Sequence, residues 1–219
     1  MKLFKNIKNW LENQEHLFYL FLFILIVPNM VLCFTEPLPF MAKVANVLLP
    51  FGCYYLLMTL SRNCGKMLWI LFLFLFFGAF QIVLLYLFGQ SIIAVDMFLN
   101  LVTTNSSEAL ELLDNLTPAI IAVIILYVPA LILGMISIIR KRKLTVEFIR
   151  RERKRAFLVF GISLLSLVGA YVQDSGYELK SDLYPLNVCY NVGLAFQRTA
   201  LTQDYHRTSK DFTFHARPT

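Results

Sequence analysis

Apolar residues in this chain come in long blocks separated by short polar stretches, and the blocks carry no regular alternation of the kind a half-buried strand would show. Each block approaches the ~20 residues that a helix needs to cross a ~30 Å hydrocarbon layer. Five such spans are read: Leu17 to Phe34, Met41 to Leu60, Met67 to Phe88, Pro118 to Ile139 and Ala156 to Val172. Pro28, Pro50 and Pro129 fall inside spans, where neighbouring helices can satisfy the freed backbone groups, so kinks rather than breaks are expected. The fold class that follows is all-α: a polytopic membrane protein with five transmembrane helices over residues 17–172.

Composition agrees with that pattern. Of 219 residues, 58% are hydrophobic and 20 are Phe, which excludes an ordinary water-soluble domain. The net charge of +6 is unevenly placed. Lys2, Lys5 and Lys8 precede the first span, Arg62 and Lys66 follow the second, and the basic loop 140–155, "RKRKLTVEFIRRERKR", joins the fourth to the fifth. With five spans all three fall on one side, and the positive-inside rule makes that side cytoplasmic, with the N-terminus in and the C-terminus out. The charge is thereby explained as an orientation device near anionic headgroups, and nucleic acid is not an expected partner. Residues 1–16, with Leu3, Phe4, Ile7, Trp10 and Leu11 at helical spacing, suit a cytoplasmic amphipathic helix. The first span is too long for a signal-peptide core and "VLCFTEP" offers no cleavage site, so it is expected to remain as an anchor. The four cysteines form no disulfide framework and no metal-binding pair.

Two segments lie on the outer side, 89–117 and 173–219. The first contains "NLVTTNSSEALELLDNLTP", with Glu108, Glu111 and Asp114 and no cation. Asn100, Thr104 and Glu108 recur every four residues and on a helix would share a stripe within about 80° of arc. A carboxylate, an amide and a hydroxyl so aligned can grip a phosphate-linked amine, the carboxylate pairing with the ammonium and the other two donating to phosphate oxygens. A competing reading is structural: Asn105 followed by Glu108 forms a capping box opening "SSEALELLDNL", which uses Glu108 only to satisfy backbone N–H groups. In the tail, "YPLNVCYNVGLAFQRTALTQDY" suggests an interfacial helix opened by Pro185, with Leu186, Cys189, Tyr190, Val192 and Leu194 as its apolar side. The remainder, "HRTSKDFTFHARPT", reads as a linker; His206, Asp211 and His215 match no standard metal spacing.

"MFLNLVTTNSSEALELL" and "YPLN" together resemble the lipid A phosphoethanolamine transferases, members of the sulfatase and alkaline-phosphatase-like superfamily. In that family a periplasmic segment between the third and fourth of five spans carries Asn-x-x-x-Thr-x-x-x-Glu followed by Ala-Leu, and Pro-x-Asn opens a linker helix. The resemblance covers only the membrane half of such a protein. It implies location in the bacterial inner membrane with a periplasmic C-terminus. Asn100, Thr104 and Glu108 become substrate-binding residues for phosphatidylethanolamine and lipid A headgroups, and Asn187 an interface residue. It also implies that the threonine nucleophile and the zinc that activates it belong to a periplasmic catalytic domain whose motifs these residues lack. No catalytic residue, metal ligand or cofactor is therefore assigned to this chain, and it is expected to be inactive alone. A transporter and a non-enzymatic membrane scaffold are the alternatives. The spans hold almost no mid-depth ionisable residue, which argues against the transporter.

Overall fold

A computed structural model describes residues 10–88 and 106–209, with side chains throughout except at 87–88, 106–115, 203 and 206–209. Its described residues form eight helices: α1 (Gln14–Thr35), α2 (Phe40–Met58), α3 (Cys64–Ile70), α4 (Phe72–Phe88), α5 (Ser106–Ile139), α6 (Val146–Gln173), α7 (Leu179–Asp182) and α8 (Leu186–Ser209). No strand occurs among them. Four helices are long and apolar enough to cross a membrane, and α3 with α4 makes a fifth if the bent pair is one span. The described residues are helical throughout their regular structure, and their several apolar helices point to a multi-pass membrane protein. The proposed amphipathic helix of residues 1–16 falls largely outside the described residues.

Local signals explain where the helices start. Asn13 caps α1 by accepting from the Glu15 N–H at 2.9 Å, and Thr145 caps α6 by accepting from the Phe148 N–H at 3.2 Å. Asn63 serves two helices at once. Its Oδ1 accepts from the Lys66 N–H at the start of α3, while its Nδ2 donates to the Ser137 and Arg142 carbonyls at the end of α5. That end closes as a Schellman turn, with Lys141 at φ 49°, Lys141 N–H on the Ile138 carbonyl and Arg142 N–H on the Ser137 carbonyl. The helices run on through Pro28, Pro50 and Pro129.

Polar loop residues sort the bundle into two ends. At the basic end, Arg62 and Leu144 exchange two hydrogen bonds across their loops, Arg142 donates to the Glu12 carbonyl, Ser137 Oγ donates to Gln14, and Arg153 donates to the Thr59 carbonyl. At the opposite end, residues 29–46 meet residues 173–187. Helices α1, α2, the α3–α4 pair, α5 and α6 therefore alternate in direction. The core between them is apolar, led by Leu17, Phe18, Phe21, Tyr54, Met58 and Leu68. Antiparallel α2 and α6 pack most extensively and lie close together at Gly52, where a Cβ would be 3.0 Å from Phe160 Cα.

Three expectations need correction. The third span is not one straight helix: α3 and α4 meet at Leu71 with a 63° bend. No Pro or Gly marks that point; instead each half is drawn to a different partner. Gly65 in α3 lies against the backbone of Gly134 in α5, whereas Gly78 in α4 lies against Pro28 of α1 and the hydroxyls of Tyr127 and Tyr184. Second, the helix expected over "SSEALELLDNL" and the span expected from Pro118 are one 34-residue helix that runs on through Pro118. Third, α8 continues to Ser209 rather than giving way to a linker at His206. Leu186, Cys189 and Tyr190 are exposed, while Asn187 and Val188 are fully buried. Tyr184 is buried on α4 just ahead of the helix.

Candidate functional site at the polar end

Of the stripe predicted from the sequence, Asn100 and Thr104 lie outside the described residues, as does the competing cap Asn105. The backbone of Glu108 is described: it is the third residue of α5 and lies ten residues ahead of Pro118, roughly 15 Å along an unbroken helix axis. Its side chain is outside the described set. Asn187, expected at an interface, is buried at the second position of α8, its backbone N–H bonded to the Leu183 carbonyl at 2.9 Å.

Beside Asn187 the structure assembles a polar knot that the sequence reading did not identify. Asn29 follows Pro28 in α1 and is 1% exposed; its Nδ2 uses both protons, donating to the Asn46 carbonyl at 2.9 Å and the Tyr184 carbonyl at 2.7 Å. Asn46 on α2 continues the chain of bonds. Its Nδ2 donates to the Asp182 carbonyl at 2.6 Å, and its Oδ1 accepts from the Tyr177 hydroxyl. Burial pushes the Tyr177 phenol well above its ordinary value, and the Asp182 carboxylate pushes it further, so it stays a neutral donor. Burial also raises Tyr184, whose hydroxyl donates to the Phe74 carbonyl at 3.1 Å.

Two features show how this knot completes the bundle. Helix α2 opens at Pro39 with no side-chain cap, and the Gln173 amide oxygen takes the role by accepting from the Met41 N–H at 2.8 Å. Asn29 Oδ1 remains buried with no hydrogen-bond partner among the described residues. It belongs to the wall of a cavity of about 10 Å³, shared with Cys33, Lys43, Asn46 and Tyr184, which is room for a single water. The arrangement ties the connector 174–187 to the ends of α1 and α2. It is built for holding a segment in place, with both Nδ2 protons of Asn29 engaged and the Asn46 amide bonded through its nitrogen and its oxygen.

The basic end has its own buried polar group. Glu152 on α6 is 0% exposed; Tyr55 donates to its Oε2, and Arg151 Nε and Arg155 NH1 reach its Oε1 at 2.8 and 2.9 Å. Arg151 also lies over the Phe148 ring, 5.2 Å from its centroid. The signal for both clusters was present in the sequence, since amides and a carboxylate within or beside apolar spans are costly unless paired. Which partners they would find was not readable.

Among the described residues no group of three or more His, Cys, Asp or Glu could hold a metal ion. All four cysteines are free. Comparison with protein-family models, with curated proteins and with solved structures returns no match.

Proposed function

We propose that this chain is the membrane domain of a phosphoethanolamine transferase, moving phosphoethanolamine from phosphatidylethanolamine to lipid A or a related outer-membrane glycan. In this reading it sits in the bacterial inner membrane with its basic end cytoplasmic and its polar end periplasmic. The observation that carries the reading is the Asn100, Thr104, Glu108 pattern set immediately ahead of a span, with "YPLN" following the last one. Support from the fold is indirect. Glu108 rides on the same continuous helix as the fourth span, so a carboxylate there would stand at a set height above the apolar layer.

The roles of the residues follow from their chemistry. Glu108 would pair with the ammonium of the donor headgroup, and the Asn100 amide and Thr104 hydroxyl would donate to its phosphate oxygens. The knot around Asn46 and Tyr184 would hold the connector and α8 against the bundle, so that a domain beyond α8 meets headgroups emerging on the same face. Such positioning can lower a barrier by several kcal/mol. The zinc of the resembled family finds no ligand set among the described residues, and no step through it is assigned here.

Alanine at Asn100 and at Glu108, made in a chain that includes the catalytic domain, tests the reading. Loss of transfer at unchanged membrane abundance is the expected result. If the segment is only a capped helix, the changes instead lower abundance through a loss of ~1 kcal/mol, and transfer per molecule is kept. Cells making only residues 1–219 should show no phosphoethanolamine-sized mass increase on lipid A; detecting one would overturn the assignment of chemistry to another domain.

A further inference from the structure

A groove of about 500 Å³ opens at the basic end, lined by Arg62, Arg150, Arg153 and Lys154 together with Val146, Ile149 and Phe157. Its α6 residues recur at positions i, i+3, i+4, i+7, i+8 and i+11 from Val146, which is one face of the helix. The cations of α6 are thus divided by the helix. Arg151 and Arg155 bind the buried Glu152. Arg150 and Lys154 have no ion pair among the described residues, and Glu147 is not in the lining.

We propose that this groove binds the headgroup phosphate of an anionic phospholipid, with the acyl chains leaving along Phe157. Four cations brought together without a carboxylate repel one another, and an anion between them removes that cost. Two of them are already oriented by the fold. Arg153 donates to the Thr59 carbonyl at 2.8 Å, and Arg62 Nε donates to the Leu144 carbonyl at 3.0 Å, which leaves guanidinium protons of both directed elsewhere. The apolar members distinguish a lipid from a soluble anion. Val146 is 48% exposed and Phe157 61% exposed, and Phe157 stands where the apolar stretch of α6 begins, so the groove passes from charge to hydrocarbon along one helix face. A free phosphate would use the first part and leave the second bare. The proposal is independent of the transferase reading, since it concerns the other end of the bundle and no reacting group.

The experiment is native mass spectrometry of the purified full chain titrated with phosphatidylglycerol, with phosphatidylcholine and inorganic phosphate as parallel arms. One phosphatidylglycerol per chain should be retained, with phosphatidylcholine and phosphate neither retained nor competing. The pair Arg150→Gln and Lys154→Gln should weaken retention about 25-fold, two lost cations at about five-fold each. The pair Lys141→Gln and Lys143→Gln removes the same charge outside the groove and should leave retention unchanged. Equal weakening by both pairs would mean a diffuse surface field and overturn the proposal, as would displacement of the lipid by millimolar phosphate or the absence of a retained lipid.

Discussion

The contact of α3 with α5 at Gly65 makes a sharp prediction. At Gly65 an added Cβ would run into the Gly134 carbonyl oxygen and lie 2.9 Å from its carbon and 3.0 Å from its Cα. Those are backbone atoms inside a helix, so no rotamer change relieves them. Restoring ordinary carbon contacts of about 3.5–4.0 Å requires α3 and α5 to part by roughly 1 Å. That separation would loosen Cys64, Met67 and Leu68, all buried on α3. Overpacking of this kind costs ~1–3 kcal/mol. Because helices in a membrane associate through close packing of small residues, there is little other attraction to compensate. At Gly134 the same change meets only the ends of the Leu68 and Trp69 side chains, at 3.2 and 3.5 Å, which can shift. At Gly161 it meets nothing within 4 Å, and Ala gains up to ~1 kcal/mol of helix propensity over Gly. Unfolding of the three alanine variants in detergent, followed by circular dichroism, should rank Gly65→Ala below Gly134→Ala below Gly161→Ala. With a cost of ~2 kcal/mol, the first should melt about 4–8 °C below the parent. Equal melting of Gly65→Ala and Gly161→Ala would refute the argument, because it would mean the two backbones do not touch.

Other substitutions probe the two polar clusters and the turn between α5 and α6. Asn46→Leu strips partners from the Asp182 carbonyl and the Tyr177 hydroxyl together, a loss of ~1–3 kcal/mol that should speed tryptic cleavage at Lys180; unchanged cleavage would mean the connector is held by something else. Tyr184→Phe removes one hydrogen bond, to the Phe74 carbonyl, and should cost about 1 kcal/mol. Tyr184→Ala also empties a fully buried ring site and should cost ~3–5 kcal/mol, a contrast readable in the same melting assay. Glu152→Ala leaves the Tyr55 hydroxyl buried without its acceptor and should destabilise by ~1–3 kcal/mol, whereas Arg155→Ala, at a side chain 58% exposed, should change melting little. Lys141→Gly places glycine where φ is 49° and should raise stability by ~1 kcal/mol, since only glycine adopts that conformation without strain.

The sequence by itself determined the class of this protein and the placement of its spans. Burying a backbone in hydrocarbon demands long uninterrupted apolar helices, and that demand is written locally in runs such as Leu17 to Phe34. The basic loops were equally legible, because charge is a property of each residue alone. What the chain could not disclose is anything set by a distant partner. The bend at Leu71 arises from Gly65 meeting Gly134 and Gly78 meeting Pro28, and no breaker marks the place. Nor does a local signal mark the union of 106–117 with the fourth span, since a proline at 118 reads as a helix start or a break. Helix α8 buries Asn187 and Val188 beside Tyr184, which is anchored on the Phe74 carbonyl. The partners of Asn29 and Asn46 are set by the tertiary structure alone, which supplies the Tyr184 and Asp182 carbonyls, 155 and 136 residues away. A hydrogen bond needs two groups in one place, and a sequence names the groups without fixing the place.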